Sequence, residues 1–150
     1  MSYHLTIREM TIDDVPMLKI KEVWMYDRYL KYITEQGGPA YVIEEEGQLL
    51  CAFGALFEWP QSGACDVWFN IIAYKRTFNI ARIFKRLLVR LAAQYKVTRM
   101  QAVVRCDSEV NSRFMKFLGF INETPFGMKN KLPDGEGAYL FARCFQWDGQ

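Results

Sequence analysis

Ala64-Cys65-Asp66-Val67-Trp68-Phe69-Asn70-Ile71-Ile72-Ala73, with the residues that follow it to Tyr95, decides the reading of this chain. The quoted run is rich in β-branched and aromatic side chains. A period of two puts Asp66, Trp68, Asn70 and Ile72 on one face and Val67, Phe69 and Ile71 on the other, the pattern of a central strand. Further on, Ile80, Ile83, Phe84, Leu87, Leu88, Leu91, Ala92 and Tyr95 recur at three- and four-residue spacing. That is the buried stripe of a helix, with Arg82, Lys85, Arg86, Arg90 and Gln94 outside it. Between strand and helix lies Tyr74-Lys75-Arg76-Thr77-Phe78-Asn79. A helix N-terminus leaves backbone N–H groups unpaired at the positive end of its dipole, so this junction suits an anion such as a diphosphate.

A chain of 150 residues with 51% hydrophobic and 15% aromatic content can bury the core of one domain over residues 1–150, and disorder is excluded. The net charge of +2 and pI near 8.3 are too mild to mark a nucleic-acid binder, and the basic residues gather on the helix and the loop before it. Cys51, Cys65, Cys106 and Cys144 fall inside or at the end of apolar strand-like runs without Cys-x-x-Cys spacing, which reads as reduced core thiols. His4 is the sole histidine, so Ser-His-Asp and Cys-His catalysis and a histidine metal site are set aside, and no metal is expected. Apolar runs of signal-peptide type or membrane-spanning length are absent, so the expectation is a cytoplasmic protein with no membrane partner.

Taken in order, Tyr3 to Arg8 alternates as a strand, and Thr11 with Asp14 starts a helix that tolerates Pro16 early in its course. Its apolar positions Val15, Leu18, Val23, Trp24 and Leu30 are irregular, which predicts a break near Tyr26 to Tyr32. Ala40 to Glu44 and Gln48 to Glu58 form a hairpin across Glu45-Glu46-Gly47, and a turn at Pro60-Gln61-Ser62-Gly63 leads into the central strand. Met100 to Cys106 is reached by a helical crossover and so runs parallel to the central strand. Asp107-Ser108 caps a short helix with Val110, Phe114, Phe117 and Leu118 on its buried side and Gly119 at its stop. Phe120 to Glu123 and Ala138 to Phe145 close the sheet.

Arg76-Thr77-Phe78-Asn79-Ile80-Ala81 resembles the pyrophosphate loop of the GNAT superfamily of acyl-CoA N-acyltransferases, whose pattern is Arg or Gln, two residues, Gly, one residue, then Gly or Ala. Arg76 and Ala81 match. Asn79 replaces the middle Gly; asparagine tolerates left-handed backbone, while its Cβ narrows the approach of a phosphate. Leu5 to Val15 resembles the family's opening strand and capped first helix, and Arg113-Phe114-Met115-Lys116-Phe117-Leu118-Gly119-Phe120 its late helix ending in Gly-Phe. The resemblance implies an α+β fold: a mixed, mostly antiparallel central sheet flanked by helices, with strands 4 and 5 parallel and splayed around the pantetheine arm. It implies acetyl-CoA as acyl donor. Asn70, Ile71, Ile72 and Ala73 would pair with pantetheine through their backbone. Thr77, Phe78, Asn79, Ile80 and Ala81 would hold the pyrophosphate, with Lys75 or Arg76 adding charge. Ser108 stands where the family often has an asparagine, and either contacts the cofactor or caps its helix. More narrowly, Asn111 to Phe120 and the Leu140-Phe141 strand are similar to compact GNAT-like proteins of tailed bacteriophages, a group that includes the internal virion proteins of podophages.

Transfer of an acyl group from a thioester to an amine requires a held donor, a polarised carbonyl and loss of a proton from the amine. Glu58 and Asp66, at facing ends of neighbouring strands, are the candidate general bases, and exposed hairpin charges are the alternative. Many GNAT enzymes carry a tyrosine as general acid where this chain has Met115; Tyr74, Tyr95 and Tyr139 remain as substitutes. The basic helix face would meet a 3′-phosphate, a nucleic acid or an acidic partner, or is simply solvated. Trp24, Tyr26, Tyr29 and Tyr32 line an acceptor groove or belong to the core. The first reading is therefore an N-acetyltransferase acting on an unidentified amine by direct attack. Its rival is a catalytically inactive GNAT-fold binding or virion-associated protein, in the host cytoplasm if phage-encoded, and a nucleic-acid module comes third. A protein partner or homodimer is left open.

Overall fold

The computed structural model describes residues 4–18, 20, 27, 31, 38–57, 59, 63–72 and 77–147, residues 77 and 78 by their backbone alone. Glu58, Ala73, Tyr74, Lys75, Arg76 and the Trp24, Tyr26, Tyr29 and Tyr32 cluster lie outside the described residues. The elements are β1 (Leu5–Glu9), a 3-10 helix (Ile12–Leu18), β2 (Ala40–Glu45), β3 (Gln48–Leu56), β4 (Ala64–Ile71), α1 (Thr77–Tyr95), β5 (Arg99–Arg105), α2 (Glu109–Phe117), β6 (Ile121–Asn122) and β7 (Ala138–Cys144). Seven strands form one mixed sheet in the order β1-β2-β3-β4-β5-β7-β6, and the architecture is α+β. Pairing is antiparallel in β1/β2, β2/β3, β5/β7 and β6/β7 and parallel in β4/β5, as the helical crossover between those two strands requires.

Two compact units are distinguished, one of Met1–Phe57 and Val67–Thr77, the other of Glu58–Asp66 and Phe78–Gln150. In the first, Met10, Val15, Leu18, Val42 and Ala52 form a buried cluster, against which Trp68 and Ile72 of the β4 segment pack. Those two residues share the face that the period of two gives them. Gly54 makes room for the tryptophan: a Cβ there would lie 2.6 Å from the Trp68 ring and 2.7 Å from the Pro39 carbonyl oxygen. The helix expected after Thr11 is a 3-10 turn with Pro16 inside it. Its geometry is fixed by Asp14, whose carboxylate accepts the Thr11 N–H at 2.8 Å and both terminal nitrogens of Arg8, at 2.8 and 2.7 Å.

In the second unit α1 buries Ile80, Ala81, Phe84, Leu88, Leu91 and Ala92, while Tyr95 in the last turn is exposed. The stripe closes instead with buried Val97, whose N–H donates to the Ala92 carbonyl. Phe84 meets Phe114 of α2 edge to face at 5.8 Å between centroids. The buried side of α2 is Phe114 and Met115, continued by Leu118, and not the Val110 and Phe117 of the expected stripe. The helix packs on β5 and β6, and Phe117 is turned outward beneath the Lys85 ammonium, 5.0 Å from its ring centroid. Gly119 stops it at φ +92, a conformation that suits glycine alone. The reading of all four cysteines as core is corrected: Cys51 and Cys65 are buried, Cys106 is half-buried and Cys144, at the end of β7, is exposed.

Candidate functional site

In the first unit, β4 stays tied to β3 beyond its last residue, the Ile72 N–H donating to the Leu50 carbonyl at 2.8 Å. Backbone direction alternates along a strand, so the N–H and C=O of Ile71 are turned away from β3. Asn70 and Ile71 are half-buried, and the seating of Trp68 and Ile72 in the core cluster fixes the backbone that carries them.

Helix α1 begins at Thr77 and runs for 19 residues with no acidic side chain in its first turn. The N–H groups of that turn have no partner within the helix. Buried Ile80 and Ala81 anchor the start, while Asn79 is exposed and lies inside the helix, so no left-handed backbone is required of it. The absence of a carboxylate and the anchored backbone fit a phosphate. Arg82, Lys85, Arg86 and Arg90 are exposed along the same helix.

In the second unit, Asp66 stands opposite Gln101 in the last of the three register pairs recorded for β4 and β5. Gln101 Nε2 donates to Asp66 Oδ1 at 2.7 Å, and Arg99 Nε donates to Gln101 Oε1 at 3.2 Å. Arg99 is clamped by Glu123, its Nη1 donating to Oε2 at 3.1 Å. That contact holds the Glu123 carboxyl below the usual carboxylate range. Gln101 and Arg99 were not singled out by the sequence. Their signal is the alternation of polar Arg99, Gln101 and Arg105 with buried Met100, Ala102 and Val104, which acquires meaning only once register sets Gln101 beside Asp66.

Ser108 is the N-cap of α2, its Oγ accepting the Asn111 N–H at 3.4 Å. Met115 is 2% exposed, so the side chain at the tyrosine position faces the core. Of the substitute tyrosines, Tyr139 is half-buried against Phe141, with ring centroids 6.2 Å apart, and Tyr95 is exposed. Among the described residues no three His, Cys, Asp or Glu side chains gather as a metal site, and no helix is long and apolar enough to cross a membrane.

No family model matches the chain, and no curated protein matches it by sequence. Solved structures do. Over 97% of its length the chain superposes on 97% of the ribosomal-protein-S18-alanine N-acetyltransferase of Escherichia coli, with a TM-score of 0.76 at 16% identity. It also superposes, over 95% of its length, on 100% of an acetyltransferase of the GNAT family from Streptococcus pneumoniae, with a TM-score of 0.70 at 12% identity. The chain has the GNAT fold. A mutant spermidine N-acetyltransferase of Vibrio cholerae is similar as well, with 93% of each chain covered, a TM-score of 0.72 and 12% identity. The parallel β4 and β5 joined through α1 belong to that fold, and at these identities the likeness is one of fold.

Proposed function

We propose that the protein is an acyl-CoA-dependent N-acyltransferase that moves an acetyl group from acetyl-CoA to an amine. The observation that carries the proposal is the superposition of 97% of the chain on 97% of an N-acetyltransferase. The strand end and helix start described above support it. Ile71 would offer its backbone to the pantetheine amides, and the first-turn N–H groups of α1 would receive the pyrophosphate, with Lys75 and Arg76 adding positive charge. When bound, acetyl-CoA supplies an activated carbonyl and a thiolate leaving group. In the balanced reaction a nitrogen–carbon bond forms, the carbon–sulfur bond breaks, one proton leaves the amine and one joins the sulfur.

Asp66 is assigned the first of those protons, directly or through a water, because one of its oxygens accepts no hydrogen bond from a described residue. Glu58, expected at the end of the strand before β4 and outside the described residues, is the other candidate base. Tyr139 or solvent would return the second proton, since Met115 has none to give. In this proposal the chain would work as one domain in the cytoplasm.

The test is to incubate the protein with acetyl-CoA and a panel of amines that includes spermidine and a peptide beginning with alanine, following free thiol release and acetylated product by mass spectrometry. Amine-dependent thiol release that falls at least about tenfold in Asp66→Asn supports the proposal. Acetyl-CoA left intact with every amine would overturn it.

A second reading is favoured by one observation, the buried Met115 in place of the tyrosine expected for a general acid. Under it the fold has lost turnover and serves as a binding protein, phage-encoded and virion-associated in the version the sequence suggests. Acetyl-CoA binding without transfer to any amine supports this second reading against the first.

A further inference from the structure

Four polar residues of the second unit form a directed chain: Glu123 holds Arg99, Arg99 donates to Gln101 Oε1, and Gln101 donates through Nε2 to Asp66 Oδ1 at 2.7 Å. An amide can present either its oxygen or its nitrogen, and the guanidinium removes the choice. With Arg99 Nε on the amide oxygen, only the NH₂ group is left to face the carboxylate. Arg99 is itself fixed by two parallel hydrogen bonds to Glu123, one from each terminal nitrogen, the geometry that best immobilises a guanidinium. Strand register then delivers the amide to its target. Asp66 and Gln101 are directly opposite, and on the other side Gln101 faces Ala142, whose small side chain leaves the glutamine space to lie toward β4.

We infer that Gln101 is a positioning residue for acetyl transfer, holding the Asp66 carboxylate by one oxygen so that the other is directed at the acceptor amine, with Arg99 and Glu123 fixing the orientation of the amide. The inference rests on the proposed function, in which Asp66 is the base. Gln101 touches neither donor nor acceptor and acts only through Asp66. A structural role alone would make its loss felt in stability and in any background; a positioning role makes it felt in turnover and only while Asp66 can accept a proton.

The experiment is a double-mutant cycle on the full chain with acetyl-CoA and the best amine of the panel, using Gln101→Met, Asp66→Asn and the double variant, with urea unfolding and acetyl-CoA titration alongside. Gln101→Met keeps the length of the side chain and removes the donor. The expected result is a fall in kcat of about tenfold or more with acetyl-CoA affinity and unfolding midpoint unchanged, and no further fall when Gln101→Met is added to Asp66→Asn. Gln101→Glu, which retains a partner for Arg99 but cannot donate to Asp66, should reproduce the loss and serves if the methionine variant fails to fold. If Asp66→Asn lowers kcat and neither Gln101 variant does, or if the two effects multiply, the positioning role is overturned while the proposed function stands. If Asp66→Asn leaves kcat unchanged, or no amine of the panel is acetylated, the reading beneath the inference fails and the inference with it.

Discussion

Replacing Asp14 by alanine should destabilise the protein by about 2–3 kcal/mol. The side chain is 8% exposed and accepts four hydrogen bonds, from Arg8 Nη1 at 2.8 Å and Nη2 at 2.7 Å, and from Thr11 N–H at 2.8 Å and Oγ1 at 3.3 Å. Removing one member of a buried ion pair commonly costs about 3–5 kcal/mol, because the other is stranded. Here the stranded member is the Arg8 side chain, 37% exposed and still bonded to Glu44 Oε1 at 3.2 Å, so water relieves part of that cost and the estimate falls below the range. The Arg8 guanidinium holds the Asp14 carboxyl below its ordinary value of 3.8. A carboxyl whose folded pKa is depressed contributes stability above the unfolded value and loses it as pH falls through the folded one. The wild type should therefore lose more stability below about pH 4 than Asp14→Asn, which has no proton to take up there. Urea unfolding read by tryptophan fluorescence measures both effects. A change below about 0.5 kcal/mol for Asp14→Ala, or the same acid dependence in wild type and Asp14→Asn, would refute the assignment of this pair as the clip of the 3-10 turn.

Gly54→Ala should cost about 1–3 kcal/mol, since the added carbon meets backbone at Pro39 as well as the Trp68 ring; a thermal midpoint equal to that of wild type would contradict the close approach. Burial pushes the thiols of Cys51 and Cys65 up to about 12, so a thiol reagent at pH 8 should label exposed Cys144 in the native protein and those two only after unfolding; rapid native labelling of Cys51 would count against the β3 core. Ser108→Ala should lose about 1 kcal/mol and Ser108→Asn much less, because asparagine also caps; equal losses would remove the capping role.

The helix of Ile80 to Leu91 was legible because its spacing repeats over several turns, and the strands because β-branched runs are broken by glycine turns. On the shorter α2, Phe114 and Leu118 are buried as the spacing predicts, while Val110 and Phe117 are exposed and Met115 takes their place. Its stripe is too brief to fix a phase: Met115 is buried, and Phe117 is exposed with its ring under Lys85. The 3-10 turn was hidden for a related reason: Thr11 and Asp14 carry an ordinary helix-start signal, and what shapes the turn is Arg8 from the preceding strand. Of the candidate site, the sequence marks the strand-to-helix junction through Arg76, Asn79 and Ala81, of which the structure describes exposed Asn79 and buried Ala81 in α1. It does not mark the support of Asp66, because the contact with Gln101 spans 35 positions and depends on register that no local pattern encodes.

The proposed function stands on acyl-CoA binding at the start of α1. Isothermal titration of the protein with acetyl-CoA, beside the Arg76→Ala, Asn79→Asp double variant that sets a carboxylate where the diphosphate should lie, tests it most directly. Micromolar binding by the wild type is expected, lost in the double variant with the unfolding midpoint preserved; a folded wild type that gives no heat of binding with acetyl-CoA would refute the proposal.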